Sequence, residues 1–307
     1  MTLRGEALGT YYEFVLDREV DVEAEIAAFF KGYNAAANTY IPDSEISYFN
    51  QKGYALLEEP YLPEMLAISR KYREQYAGLY EPTLMPLING WGFGFSERAR
   101  MSPERVDSLL QFVDLDLVQV SGDSLLAARP GVQLDFSAMG EGYAIEKLAA
   151  IVEAKGVESY KIEIGGEMRC RGLNPDGKVW RIGIEGPKDG VSREESELVE
   201  IVLLADKAIS TSGNYRKFYI DEQGNRRVHV IDPQTGYPVE HALLSATIIC
   251  SDALKADILA TICMVAGPER ALALIEADPD VEGFLIIAEG ERFRTQASSG
   301  LPVLEGN

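Results

Sequence analysis

The apolar positions of this chain fall into short runs of two periods. Residues 22–38 set Ile26, Phe29, Phe30, Tyr33 and Ala37 at three-and-four spacing, which predicts a core helix. Residues 60–76 repeat the pattern with Leu62, Met65, Leu66 and Ile68, and Ser102-Pro103 opens a further helix that runs to residue 112. Between the first two, Pro42 and Asp43 mark a turn, and Ser44 is placed to cap a short helix carrying Ile46 and Phe49. Residues 81–95 are so rich in Pro, Gly and aromatic side chains that an ordered loop is expected. Its Trp91, Phe93 and Phe95 either line a planar ligand or plug a core between lobes, the plug being favoured. Alternating patterns predict strands over 5–16, 180–185, 198–204, 215–220, 227–231, 244–250, 284–287 and 292–295, with residues 221–225 as a hairpin loop.

Residues 133–172 organise the chain. An apolar strand ends at Asp135, and a turn of small residues follows through Ser137, Ala138 and Gly140. A helix starting near Gly142 buries Ile145, Leu148, Ala149 and Val152, and Gly156 stops it. A strand over 160–164 breaks on Gly165-Gly166, and a third leads away. Small residues after a strand let a ligand approach the backbone, and a helix start offers N–H groups that favour phosphate oxygens. The same features also make an ordinary tight crossover. Farther on, Ser251 is expected to cap a helix running to about residue 265, with Gly267-Pro268 separating it from a helix over 268–277. Hairpin signals outnumber crossover units, so the expected class is α+β, largely antiparallel sheets flanked by helices. GEGYA lacks the GxGxxG spacing of a dinucleotide fingerprint.

Length and charge narrow the functions. A chain of 307 residues makes one large domain, or two closely joined lobes. A formal charge of −20 excludes the basic stripe of a nucleic-acid protein. A phosphate-bearing ligand must then be held by backbone dipoles, local Lys or Arg, or a divalent cation. Cys170, Cys250 and Cys263 sit in apolar contexts without metal-ligand spacing and are expected to be buried thiols. No run has the length of a membrane span, and no export signal is visible.

Two groups of residues carry candidate chemistry. In the helix near residues 252–265, Leu254, Ile258, Ile262 and Val265 form the apolar face, while Asp257, Ala260, Thr261 and Met264 lie beside it. Asp257 and Thr261, four apart, point to one spot, and carboxylate, hydroxyl and backbone carbonyl are the oxygens magnesium takes. The plainer alternative is a buried Asp bonded to neighbouring backbone. His229, within a strand pattern and three residues ahead of Asp232, is either a satisfied strand residue or a general base beside the turn 233–236. His241 lies in a polar loop expected at the surface, and Tyr40 at a helix exit is a packing or ligand-stacking residue.

GEALGT, NTYIPDSEISYFN, YEPTLMPLINGWGF, LDFSAMGEGYA, IEIGGEMRCRG, ISTSGNY, HVIDPQTGYPV and DALKADILAT occur in that order over almost the whole chain. Together they resemble the FAD:protein FMN transferases of the ApbE family. The resemblance implies that family's T-fold-like architecture and magnesium-dependent transfer of FMN from FAD, with AMP released, to a Thr or Ser hydroxyl of an acceptor protein. By motif position it implies magnesium ligation by Asp257, Thr261 and the Ala138 carbonyl. It implies FAD contacts at Leu8, Tyr40, Leu79, Tyr80, Glu81, Asp135, Glu141 and Ile231, with His229 as general base and Asp232 orienting its loop. Glu141 stands where many members have Lys, Leu8 replaces a frequent Met, and Glu81 replaces a frequent Asp. The expected acceptor is a flavoprotein subunit of a membrane electron-transfer or respiratory complex, and the expected location is periplasmic, with a lipid anchor. Two other readings stay open: an FAD pyrophosphatase giving FMN and AMP, and a non-catalytic FAD-binding protein.

Overall fold

The computed structural model describes residues 1–187, 198–215, 217–222 and 224–304. In chain order, the first half holds β1 (Thr2–Ala7), β2 (Thr10–Leu16), α1 (Glu23–Ala37), α2 (Glu45–Lys52), β3 (Tyr54–Leu56) and α3 (Tyr61–Gln75). Then come α4 (Met85–Gly90), α5 (Pro103–Leu110), β4 (Val118–Ser121), β5 (Ser124–Ala127) and α6 (Gly140–Ala154). The strands β6 (Tyr160–Ile164), β7 (Glu167–Arg171), β8 (Trp180–Glu185), β9 (Leu198–Leu204), β10 (Lys207–Gly213), β11 (Phe218–Ile220), β12 (Arg226–Val228) and β13 (Leu243–Cys250) follow. The chain closes with α7 (Ala253–Ala266), α8 (Pro268–Glu276), β14 (Glu282–Glu289) and β15 (Arg292–Ala297). Among the described residues no helix is long and apolar enough to cross a membrane.

The chain forms two compact units: residues 1–26, 139–216 and 241–307, and residues 27–138 and 217–240. The first is built on an eight-stranded sheet in the order β1-β2-β6-β7-β10-β13-β14-β15, antiparallel at every pairing. Alternation along β10 divides its two faces. Ile209 joins Met168, Cys170, Ile249, Phe284 and Ile286 under the β8–β9 hairpin, while Ser212 on the other register bonds to Thr261 of α7. The three cysteines are buried free thiols. Two hairpin turns and one strand pairing gather at one end of this sheet: the β1–β2 turn, the β6–β7 turn, and late β10 beside early β13.

The expected strand over 5–16 is in fact two. Leu8 (φ 54°) and Gly9 (φ 76°) form a two-residue loop between the paired Ala7 and Thr10. Both positive φ values match the primed turn whose twist suits a hairpin. Leucine is a poor residue for that conformation, so composition hid the turn. β10 also escaped the pattern analysis, because a run of small hydroxyl residues carries no apolar alternation although it sits in mid-sheet.

The second unit carries α2 to α5, the small sheet β3-β5-β4 and the β11–β12 ribbon. Leu87, Trp91, Val106 and Ile231 form a core there. Ser44 and Ser102 cap as expected, accepting from Ser47 N–H (3.2 Å) and Arg105 N–H (3.3 Å). The loop expected over 81–95 contains α4, since Pro86 lies in the first turn, where a missing N–H costs nothing. Trp91 belongs to this unit's own core, with its indole N–H on the Gly236 carbonyl at 2.9 Å, whereas Phe95 is largely exposed. The strand expected at 133–135 is extended chain without a strand partner. Leu134 N–H donates to Asn50 Oδ1 (2.6 Å), and Asn50 Nδ2 donates to the Leu134 carbonyl (2.8 Å), so one amide side chain supplies both bonds of a ladder step.

Candidate functional site

In the first unit the candidate residues converge on the α6–α7 pair. Gly142 lets the helices meet: a Cβ there would lie 2.5 Å from the Ala253 carbonyl oxygen, 2.7 Å from Asp257 Cβ and 2.8 Å from Leu254 Cα. At that contact Gly142 N–H donates to Asp257 Oδ2 at 2.9 Å. Asp257, 6% exposed, has its carboxyl raised well above the usual carboxylate range. Burial is the main cause and the charges of Glu141 and Glu167 add to it, against hydrogen bonding from Gly142 and Ser210. The cap of α7 is not Ser251. Asp252 accepts from Lys255 N–H at 2.8 Å, and Ser251 bonds instead to Asp280.

One turn along α7, the Thr261 hydroxyl lies 3.2 Å from Ser212 Oγ. Ser210, 2% exposed, also borders Asp257, yet its Oγ has no hydrogen-bond partner of ordinary geometry. A buried carboxylate pressed by two others, a hydroxyl on its own helix face and the buried Ser210 hydroxyl beside the carboxylate form a donor set that suits a small hard cation. Among the described residues no three His, Cys, Asp or Glu side chains group as a metal site. One carboxylate is nonetheless enough for magnesium that also takes phosphate and water oxygens. Glu141 is half-buried in the first turn of α6, and Leu8 is half-buried in the β1–β2 turn. Ser210 and Ser212 were missed by residue-level reasoning; the ISTSG run of hydroxyls was the signal that could have marked them.

In the second unit His229 lies just past β12, not within a strand. Its Nδ1 faces the Lys217 carbonyl at 3.4 Å, and Phe93 packs edge-on with ring centroids 6.4 Å apart. A carbonyl only accepts, so Nδ1 carries the hydrogen and Nε2 keeps a lone pair. Burial, with the Lys217 charge adding, holds the imidazole below its usual value of 6.5, so the ring is neutral at pH 7. Asp232 ties the following turn, its Oδ1 accepting from Gln234 N–H (2.8 Å) while its backbone pairs with Tyr237 and Gly236. Ile231 is buried and bridges to Pro238.

Asp135 accepts from Ser137 N–H and Ser137 Oγ, both at 2.9 Å, and desolvation raises its carboxyl despite those bonds and the Lys217 charge. Ala138, half-buried, ends this turn one residue before the helix cap Met139. Tyr40 is 78% exposed, its ring meeting Phe95 edge-on at 4.9 Å. Leu79 and Tyr80 are buried. The Glu81 carboxylate is engaged by Thr83 N–H (3.0 Å), Thr83 Oγ1 (2.6 Å), Leu115 N–H (3.3 Å) and Arg73 Nε (3.1 Å). With four donors on it, the Glu81 side chain shapes its own turn. His241, expected at the surface, is half-buried in the first unit. It accepts from Leu243 N–H at Nδ1 (3.3 Å) and donates from Nε2 to the Met264 carbonyl (2.9 Å).

With this geometry in place, comparison with known proteins is consistent along the chain. The profile of the ApbE family matches residues 8–285. The FAD:protein FMN transferase of Vibrio cholerae is 32% identical, covering 97% of this chain and 90% of its own length. That of Escherichia coli K12 is also 32% identical, at 96% and 86%. Among solved structures, the apo form of Pseudomonas stutzeri flavinyl transferase ApbE matches with a TM-score of 0.84 at 32% identity, covering 97% of this chain and 94% of that one. The flavin transferase ApbE of V. cholerae matches with a TM-score of 0.80 at 31% identity, covering 97% of each.

Proposed function

The chain belongs to the ApbE family, and we propose that it transfers the FMN moiety of FAD to a Thr or Ser hydroxyl of an acceptor flavoprotein, releasing AMP, with magnesium bound. In that reaction the acceptor oxygen bonds to the FMN phosphorus, the phosphoanhydride bond to AMP breaks, and the hydroxyl loses its proton. His229 accepts that proton at Nε2, the nitrogen left free by the Nδ1 contact to Lys217. Asp232 holds the turn that follows the base.

The observation that carries the magnesium reading is Asp257, a carboxylate raised by burial and by two neighbouring acids and placed on one helix face with Thr261. Asp257 and Thr261 would hold the ion, which supplies positive charge to the pyrophosphate oxygens and the leaving AMP. Gly142 N–H donates to one Asp257 oxygen, and the Ser210 hydroxyl lies beside the same carboxylate. Tyr40, exposed and beside Phe95, is suited to stack on a planar ring. We extend the proposal to an acceptor in a membrane electron-transfer complex outside the cytoplasm.

Purified protein, FAD and magnesium, with and without a Thr-bearing acceptor domain, test the reading. The expected result is an acceptor heavier by one FMN moiety with matching AMP. Free FMN and AMP with unmodified acceptor would replace transfer by hydrolysis, and intact FAD throughout would leave a binding protein.

A further inference from the structure

A second contact joins α6 to α7 one turn from Gly142, through a side chain that the proposed chemistry does not use. Glu146 stands four residues after Gly142 on α6, and Ala253 stands four residues before Asp257 on α7. Ala253 N–H donates to Glu146 Oε1 at 2.6 Å, and Gly142 N–H donates to Asp257 Oδ2 at 2.9 Å. Four residues are about one turn and about 6 Å of rise. The two bonds are therefore rungs one turn apart between helices that run antiparallel. A single rung would leave α7 free to pivot about Gly142; two rungs fix both its rotation and its height.

The Glu146 rung is itself braced. Glu146 Oε2 is held by Arg169 Nη1 on β7, and Arg169 Nε donates to the Tyr160 hydroxyl on β6 at 3.1 Å. Ala253 is the first helical residue after the cap Asp252, so its N–H has no acceptor within the helix. Glu146 satisfies that donor and sets a carboxylate at the positive end of α7. The plain alternative is an ion pair that stabilises the fold and nothing more.

We infer that Glu146 is a positioning residue for the cation ligands: it fixes the first turn of α7 so that the Asp257 carboxylate and the Thr261 hydroxyl stay together. This rests on the magnesium reading above. The test is magnesium titration of the full chain by calorimetry, together with the magnesium-dependent rise in unfolding temperature. It compares the native protein with Glu146→Ala, Glu146→Gln and Ala253→Pro. Proline is tolerated at the first helical position, so Ala253→Pro removes the N–H and keeps the helix.

The expected outcome is a magnesium affinity about 10–100-fold weaker in Glu146→Ala, the usual effect of removing a group that orients a ligand. Ala253→Pro shifts it in the same direction, and Glu146→Gln, which still accepts from Ala253, recovers part of the loss. FAD affinity without magnesium stays unchanged. Native magnesium affinity in a folded Glu146→Ala or Ala253→Pro protein would overturn the inference alone. Absence of magnesium binding by the native protein would overturn the magnesium reading with it. If Glu146→Ala does not fold, Ala253→Pro decides.

Discussion

The α6–α7 pair and the His229 turn both hold candidate functional side chains, and they are built in opposite ways. Around Asp257 the backbone is regular, two helices touch through a glycine, and the carboxylate is buried against other acids. Around His229 no regular element continues. Hydrogen bonds between backbone groups and the side chains of His229, Asp232, Trp91 and Gln234 hold the turn instead. A cation ligand needs an oxygen fixed to a fraction of an ångström, which packed helices provide. A base that must meet a second protein is better carried at a turn, with one ring nitrogen tied and the other open.

Asp257→Asn gives the largest expected effect on this contrast. It keeps an oxygen for Gly142 N–H and removes the charge, so transfer should fall by at least about a hundredfold. Stability should move the other way. A carboxyl raised in the folded state favours folding below its unfolded value, and that contribution is lost as pH rises through the folded value. Metal-free Asp257→Asn should therefore lose this slope and unfold at an equal or higher temperature near neutral pH. Calorimetry against pH measures it, and a clear loss of stability would contradict a carboxyl raised by burial and neighbouring acids.

His229→Asn should slow transfer by about 10²–10⁴-fold while leaving FAD affinity in place. Because burial lowers the imidazole, the rate should hold as pH falls past 6.5 and drop only when the ring gains its proton. A pH–rate profile breaking above 6.5 would assign the base elsewhere.

Gly142→Ala should cost about 1–3 kcal/mol by overpacking, because backbone faces the new methyl, and should weaken the response to magnesium. Asn50→Ala should cost about 1–2 kcal/mol in urea unfolding, with magnesium affinity unchanged, since it frees only the Leu134 backbone. Leu8→Asn is the smallest, a gain of less than about 1 kcal/mol from a residue suited to the turn. FAD affinity falling at the same time would support a ligand contact there.

Much of this was legible in the residues. Three-and-four spacing located α1, α3, α6 and α7, Ser44 and Ser102 announced their caps, and Asp257 with Thr261 followed from one helical turn. Local chemistry fails where the partner is distant in sequence. The span at 133–135 looked like a strand because it is apolar and extended, but its ladder is the Asn50 side chain, more than eighty positions away. That Glu81 shapes its own turn could not be read locally either, because Arg73 and Leu115, which bind its carboxylate beside Thr83, lie outside that turn in sequence.

Periodicity and capping residues determined where most helices lie and which faces they bury, since those are set by interactions within a few residues. The motif order determined the family. Only tertiary structure decided that ISTSG is a mid-sheet strand and that Gly142 seats Asp257. It alone decided that His229 has Nδ1 tied and Nε2 open, and that Glu146 meets Ala253 across 107 positions. Each of these depends on a desolvated contact between distant segments, and no local pattern encodes which segment arrives.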